Sequence, residues 1–184
     1  MKLLNNIKSK LGKRKLEKML EKQKRKIQVS NFNNAKSVGI IYNIKDAEFQ
    51  DTINKYVDYL REEVGFKTIV ALGFNPKKGY PHFLKIGIKY KSFSKLDLDW
   101  MNLPKSVEVN NFCEENFDFL IDLSNNNNVS LRYILVNSQA KLKIGRYSKR
   151  NEKFYDFMVD TTENTTVKDY IKQVNHFLNN VKPK

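Results

Sequence analysis

Cysteine is almost absent from this chain, which contains a single one, Cys113, among 184 residues. One thiol can form neither a disulfide framework nor a zinc site built on cysteine pairs, and it fits a reducing compartment. Histidine is nearly as scarce, with only His82 and His176. A histidine-based metal centre or catalytic triad lacks the members it needs, so we expect no metal, no cofactor and no catalytic residue.

Long apolar runs and phosphate-binding glycine motifs are also missing. No stretch approaches the roughly 18 apolar residues that span a bilayer, and the N-terminus lacks the continuous apolar core of a signal peptide. We therefore expect a cytoplasmic protein. The turn at residues 42–46, which follows the first predicted strand, has no glycine. This excludes a dinucleotide fingerprint and a P-loop at that turn.

Positive charge is what the sequence has in excess, with 34 lysine and arginine residues against 20 acidic ones and a formal net charge of +14. Such a charge repels itself unless an anionic partner neutralises it. Arginine supplies only six of the 34, and lysine contacts phosphates as a point charge rather than reading base edges. The composition favours recognition of a nucleic-acid backbone.

The charge is concentrated in the first 28 residues, which carry eleven basic and two acidic side chains. Apolar residues recur there at three- and four-residue spacing, which predicts a helix. We interpret residues 1–34 as a basic arm and linker and residues 35–184 as an α/β domain that folds without the arm. A basic amphipathic helix suits RNA, an anionic membrane or docking on its own domain. Because the first 28 residues lack an aromatic anchor, we favour nucleic acid.

Apolar runs and amphipathic periods alternate along the body, and this alternation predicts an α/β fold. Strands are predicted at residues 37–42, 67–74, 83–91, 117–123, 142–147 and 154–160. Helices are predicted from the cap Asp46 to Gly65, at 130–139, and after a capping box of Thr166 and Asp169. Residues 37–74 and 117–147 form βαβ units, so we expect a single doubly wound, mostly parallel sheet with flanking helices. Residues 92–116 are interpreted as an irregular crossover in which Trp100 packs.

The candidate RNA-binding residues fall into three groups. The arm supplies Lys8, Lys10, Lys13, Arg14, Lys15, Lys18, Lys22, Lys24, Arg25 and Lys26. A turn-rich loop after the second strand supplies Lys77 and Lys78. A second basic cluster surrounds Tyr147 and consists of Lys141, Lys143, Arg146, Lys149, Arg150 and Lys153, of which all but Lys153 are candidate RNA contacts together with Tyr147. Basic residues interleaved with an aromatic one suit phosphate contacts plus stacking on an unpaired base, although a solvated edge strand protected by lysines has the same pattern.

Two strands with similar patterns end in acidic residues, Asp122 and Asp160. In open α/β sheets, ligands bind outside the carboxyl ends of the strands, so an enzyme or ligand-binding protein would act at this pair. An aspartate at the end of a buried strand also commonly accepts backbone hydrogen bonds from the next turn. We favour this structural role and keep a ligand-binding or glycosyltransferase-like enzyme as the alternative.

Residues 117–123, 131–135, 140–147 and 155–160 resemble an uncharacterised family of small basic α/β proteins from the Bacteroidota. The resemblance covers nearly the whole chain, implies a similarity to accessory ribosomal proteins, and brings no catalytic residues to carry over. Residues 117–146 are also similar to part of the acceptor-side domain of lipopolysaccharide heptosyltransferases, whose nucleotide-sugar domain has no counterpart here. Similarity of fold geometry does not establish a shared function.

These features together predict a non-enzymatic RNA-binding protein, ribosomal or ribosome-associated, whose arm contacts the phosphates of ribosomal RNA. The expected partners are ribosomal RNA and ribosomal proteins, and no small-molecule substrate is expected. Two alternatives stay open: the enzyme at Asp122 and Asp160, and a peripheral membrane protein held by its arm.

Overall fold

The computed structural model of the chain describes residues 2–85, 87–124, 128–162 and 164–182, with the backbone alone for residues 2–7 and 9. The strands are β1 Ser37–Asn43, β2 Thr68–Asn75, β3 Tyr90–Ser94, β4 Phe119–Asp122, β5 Leu142–Arg146 and β6 Phe157–Val159. The α-helices are α1 Lys2–Lys22, α2 Ala47–Glu62, α3 Val107–Glu114, α4 Val129–Asn137 and α5 Val167–Asn180. Two 3₁₀-helices lie at Lys95–Asp97 and Glu152–Phe154.

The strands form one six-stranded sheet in the order β3-β2-β1-β4-β5-β6. Each of the five pairings among these strands is parallel. The chain starts in the middle of the sheet, builds outward through β2 and β3, and then returns to add β4, β5 and β6 beside β1. The predicted doubly wound α/β fold is confirmed, and the strand order reverses between β1 and β4, where such sheets bind ligands.

Local capping explains where the two most regular helices begin. The Asp46 side chain accepts a hydrogen bond from the backbone N–H of Phe49 at 2.8 Å, which satisfies one of the free donors in the first turn of α2. The Thr166 hydroxyl accepts from the Asp169 N–H at 3.1 Å and does the same for α5. Gly65 follows α2 at φ +81°, a left-handed conformation that glycine adopts without strain. These predicted boundaries are confirmed.

The two faces of the sheet carry separate hydrophobic layers. Helices α2 and α5 cover one face, where Ile40 of β1 and Tyr170 of α5 belong to the same core. Helices α1, α3 and α4 cover the other face, where Leu120 of β4 and Ile134 of α4 are buried together. Among the described residues, no helix is both long and apolar enough to cross a membrane.

Helix α1 packs on the body through its second half. Leu16 is only 1% exposed and belongs to the core beneath α4. Gly12 lies very close to the loop that contains Met101. A Cβ atom at position 12 would stand 2.5 Å from the Met101 carbonyl oxygen. The Arg25 guanidinium pairs with the Asp156 carboxylate. The second half of the arm and the body thus share a hydrophobic core.

Three predicted segments differ from the structure. Residues 83–89, apart from residue 86, which lies outside the described residues, form turns, and β3 begins only at Tyr90. Phe83 and Leu84 pack against the core beneath α2, whereas Ile88 is 89% exposed, so the alternating apolar positions do not share one buried face. The crossover predicted over 92–116 contains a 3₁₀-helix and α3, which Ser106 caps. The strand predicted at 154–160 is shortened to β6 because its start closes the second 3₁₀-helix.

Candidate nucleic-acid interface

A basic cleft of about 480 Å³ lies between α1, α4 and the loop that follows β5. Its lining residues are Lys13, Leu16, Glu17, Arg132, Lys149, Arg150, Glu152, Lys153 and Phe154. Five of these are basic and two are acidic. The cleft therefore brings Lys13 of the arm together with Lys149 and Arg150 of the second basic cluster, although more than a hundred residues separate them.

The walls of this cleft are fixed by contacts within the protein. Lys153 Nζ donates to Glu17 Oε1 at 2.7 Å, across 136 residues of sequence. This hydrogen bond holds the pKa of Glu17 below its ordinary value. The Arg132 guanidinium stacks over the buried Phe154 ring at 4.8 Å and donates to Asn151 Oδ1 at 2.7 Å. These contacts make the cleft a formed feature of the surface.

Three basic side chains of the cleft keep their charge available to a ligand. Lys13, Lys149 and Arg150 are exposed, and none of them forms an ion pair with another residue in the described part of the chain. An unpaired cation at a formed cleft attracts a diffusing anion more strongly than one that is already neutralised. The available charge therefore sits at the mouth of the cleft.

A second cleft, of about 310 Å³, lies on the other side of Lys13. It is lined by Lys13, Phe74, Pro76, Lys95, Leu98, Asn102, Asn128, Val129 and Ser130. Phe74 and Lys95 mark the carboxyl ends of β2 and β3, and Val129 begins α4. Because Lys13 lines both clefts, they adjoin. We call the two together the carboxyl-edge groove.

The predicted residues of the turn-rich loop lie beside this groove. Lys77 and Lys78 are exposed in the turn after β2. The Lys77 carbonyl accepts a hydrogen bond from the N–H of Lys95 at 3.4 Å, and Asn75 Oδ1 accepts from the Lys77 N–H at 3.1 Å. Segments near residues 13, 77, 95 and 150 thus meet along one edge of the sheet.

The remaining candidate residues of the arm lie mostly along the exposed surface of the helix. Lys22 and Lys24 line a smaller cleft of about 300 Å³ beside α4. Lys8 is half-buried, and the others are exposed: Lys10, Arg14, Lys15, Lys18 and Lys26. Arg25 is the exception, because its guanidinium is held by Asp156 and by the Ala140 carbonyl oxygen at 3.0 Å. The charge of Arg25 is therefore engaged within the protein.

Three members of the second basic cluster are also engaged inside the protein. Lys143 is 1% exposed and donates to the Leu135 carbonyl oxygen. Burial lowers the pKa of its amine to about 7, and the nearby charge of Arg25 adds to this effect. Lys141 pairs with Asp118 at 2.8 Å, and the half-buried Arg146 stacks 4.0 Å above the Tyr170 ring.

The cluster is therefore divided rather than continuous. Strand β5 lies between β4 and β6, so the basic pattern on it does not mark a solvated edge strand. Lys143 on this strand faces the interior. Tyr147, Lys149, Arg150 and Lys153, which follow the strand, remain exposed, and Lys153 is paired with Glu17.

The two aspartates at strand ends do not come together. Asp122 is buried and accepts the Tyr155 hydroxyl at 2.6 Å and the Ser124 N–H at 2.7 Å. Burial raises the pKa of its carboxyl group, and the two hydrogen bonds oppose that rise. Asp160 is exposed beyond β6 and is separated from β4 by a whole strand. The predicted role of Asp122 as an acceptor for the next turn is confirmed.

Other reactive groups are few in the described residues. No group of three or more histidine, cysteine, aspartate or glutamate side chains there is placed to hold a metal ion. Cys113 is buried, and burial raises the pKa of its thiol to about 12. Such a thiol forms almost no thiolate at neutral pH and is therefore unreactive.

Trp100 does not pack as expected from the sequence, because its side chain is 59% exposed. It lies on a loop whose ends, Leu98 and Pro104, form an isolated antiparallel bridge. Asp99 Oδ1 accepts from the N–H groups of Met101 at 2.8 Å and Leu103 at 2.9 Å. The sequence signal for this turn was Asp99 directly before the single tryptophan, because aspartate side chains in turns commonly accept a hydrogen bond from the backbone two residues ahead.

Comparison with known proteins gives one match. A family model described as "Family of unknown function (DUF6913)" matches residues 8–181. The match covers nearly the whole chain and includes the part of α1 that packs on the body. No curated protein and no solved structure matches the sequence.

Proposed function

The chain belongs to the DUF6913 family, and we propose that it is a non-enzymatic RNA-binding protein that contacts phosphates along the carboxyl-edge groove. A ribosomal or ribosome-associated role in the cytoplasm, with ribosomal RNA as the partner, is part of this proposal. So is membership in a group of small basic proteins of the Bacteroidota. The observation that supports it most is the meeting of separate basic segments around Lys13.

The docked arm adds charge to the same surface. Lys10, Arg14 and Lys18 are all exposed and follow one another at four-residue spacing, so they form one stripe along α1. Arg14 is the neighbour of Lys13, and the stripe therefore passes close to the groove. In this proposal the arm binds RNA as a helix fixed to the body, and phosphates follow the stripe into the groove.

The test removes three charges from the groove and compares that with removing three charges elsewhere. The groove variant carries Lys13→Ala, Lys149→Ala and Arg150→Ala. The control carries Lys55→Ala, Lys168→Ala and Lys172→Ala, which are exposed on α2 and α5 at the opposite face of the sheet. Fluorescence anisotropy with labelled single-stranded ribosomal RNA fragments measures affinity across a range of salt concentrations.

The groove variant is expected to bind more weakly, with a shallower dependence on salt. Each lost phosphate contact changes the slope of log K against log salt by about 0.7 for single strands, so three contacts change it by about 2. The control variant should keep most of the slope. Equal losses in both variants would contradict the proposal, because binding would then follow net charge alone. Sedimentation with ribosomes at low and high salt tests the ribosomal part separately.

One observation favours a second candidate, a small-ligand site near Asp122. Within the described part of the chain, four buried polar side-chain atoms have no hydrogen-bond partner: Asn43 Nδ2, Arg146 Nε, Ser148 Oγ and the Tyr170 hydroxyl. Unsatisfied buried polar groups are uncommon and can mark a missing ligand or water. A thermal-shift screen with sugar nucleotides, repeated on Asp122→Asn, tests this candidate. A stabilisation that Asp122→Asn abolishes would favour the enzyme over the RNA-binding proposal.

A further inference from the structure

We infer that the RNA held in the carboxyl-edge groove is unpaired and that one of its bases stacks on Trp100. This inference rests on the proposed function and specifies its ligand.

The loop that carries Trp100 is built to hold a fixed shape. Besides the two bonds to the Asp99 side chain, the Asp99 N–H donates to the Leu103 carbonyl at 2.8 Å, and the Asn102 N–H donates to the Asp99 carbonyl at 3.0 Å. Asn102 takes φ +63°, which closes the turn in a left-handed conformation. The close approach of Gly12 to Met101 then fixes the loop against α1.

Such a loop leaves its largest side chain in water. Tryptophan is highly buried on average, and its ring gains more than most from leaving water. Here the ring of Trp100 stays mostly exposed although its backbone is tightly held. A rigid, exposed aromatic ring is what a stacking platform requires, because little ordering entropy is lost when a base covers it.

A second exposed aromatic ring is anchored to the same region. Tyr80 is 54% exposed, and its hydroxyl donates to Asp97 Oδ2 at 2.9 Å. The Asp97 carbonyl in turn accepts from the N–H of Lys105 at 2.9 Å. The 3₁₀-helix Lys95–Asp97 therefore links Tyr80 to the chain that returns from the Trp100 loop.

The polar groups nearby suit RNA better than a lipid surface. Asn102, two residues beyond Trp100, lines the second cleft together with Asn128 and Lys95. Amide side chains can hydrogen-bond base edges and ribose hydroxyls. A base in a duplex is already stacked on both sides, so only an unpaired base can cover Trp100.

Trp100 is the only tryptophan of the chain, so intrinsic fluorescence reports directly on this site. We would titrate the full chain with an oligoadenylate of about 12 nucleotides, within the site sizes of single-strand binders. An abasic strand of the same length and charge, the corresponding duplex, and vesicles containing anionic phospholipid serve as comparisons. Oligoadenylate should quench the tryptophan emission, whereas the abasic strand should bind with little quenching.

The variant Trp100→Ala supplies the second measurement. Anisotropy should show affinity for oligoadenylate falling about 5- to 100-fold, as expected for the loss of one stacked base, with affinity for the abasic strand unchanged. Trp100→Phe should restore part of the loss. Ile88→Ala, at another exposed apolar residue, in the turn before β3, is the control. Far-ultraviolet circular dichroism and the thermal midpoint check that the exposed substitutions leave the fold intact.

Each adverse outcome has its own meaning. Equal binding of oligoadenylate and the abasic strand, without quenching, would overturn the stacking inference and leave phosphate binding standing. Binding of the duplex as tight as that of the single strand would also overturn it. Quenching or a blue shift with vesicles alone would assign the loop to a membrane. Absence of binding by any nucleic acid would instead overturn the proposed function itself.

Discussion

Arg25 and Asp156 form an ion pair in which each side chain keeps only 10% of its surface exposed. The same carboxylate accepts the N–H of Lys143 at 2.8 Å, so one aspartate holds both the end of the arm and the middle of β5. A basic residue that composition assigns to phosphate contacts is here a structural connection between distant parts of the chain.

Breaking this pair should destabilise the protein. Arg25→Ala leaves the Asp156 carboxylate largely buried without its cation, and such a loss costs about 3–5 kcal/mol. Lys24→Ala, at the exposed neighbouring position, should change the free energy of unfolding by no more than about 0.5 kcal/mol. Urea denaturation measures both. Equal midpoints for the two variants would show that the pair is not formed in solution.

The docking of the arm can be tested at one apolar side chain. Leu16→Ala opens a cavity in the core beneath α4 and should cost about 2–5 kcal/mol. Leu11→Ala, at a position 37% exposed on the same helix, should cost less. Thermal unfolding compares the two. If Leu16→Ala leaves the stability unchanged, α1 is detached from the body in solution, and the groove at Lys13 is lost with it.

Lys143 should make the stability depend on pH above neutrality. Burial lowers the pKa of its amine to about 7 from 10.5, Arg25 adds to the shift and Asp156 opposes it. Between pH 7 and 9 the unfolded chain keeps a proton that the folded chain releases, so the free energy of unfolding rises with pH, by about 2 kcal/mol over that window. Above pH 9, ionisation of Cys113 in the unfolded chain works in the opposite direction.

Lys143→Met separates this effect from the rest of the protein. Methionine has a similar length and no charge to desolvate, so the rise between pH 7 and 9 should disappear and the variant should exceed the parent chain in stability at pH 7. Urea denaturation at a series of pH values gives the comparison. A rise that persists in Lys143→Met would belong to another group.

The hydrogen bond between Tyr155 and Asp122 should contribute measurably to stability. Tyr155→Phe leaves the buried carboxyl group with one donor fewer, at a cost of about 1–3 kcal/mol. The matched control is Tyr147→Phe, because that side chain is exposed, and its effect should stay within about 0.5 kcal/mol. If chemical denaturation finds both changes negligible, Asp122 has another partner, which would support a ligand site there.

The order of the main elements could be predicted because their signals are local. A continuous apolar run indicates a buried parallel strand, as at β1, β2 and β4, and a capping residue before an amphipathic period fixes the start of a helix, as at Asp46. The doubly wound topology then follows from two βαβ units joined by the usual handedness.

The basic residues could not be sorted into exposed and buried ones in the same way. Lys143 and Lys149 look alike in the sequence. Lys143 is buried because α4 and β6 both pack against β5, and no local sequence pattern contains that information. Charge density likewise predicted where the arm lies, but not that Arg25 meets a carboxylate 131 positions later. The exposure of Trp100 was missed because exposure of a large ring is a property of the folded loop.

The distance along the chain between the arm and its anchors has a consequence for synthesis. Leu16 packs beneath α4, and Arg25 requires Asp156, so neither contact can form until the second half of the polypeptide has emerged. Translation adds about 5–20 residues per second, so synthesis of the 131 positions from Arg25 to Asp156 takes on the order of ten seconds. During that time a nascent chain exposes its whole basic segment, including the residues that the finished fold later buries. Any polyanion close to the site of translation therefore meets the arm before the body does.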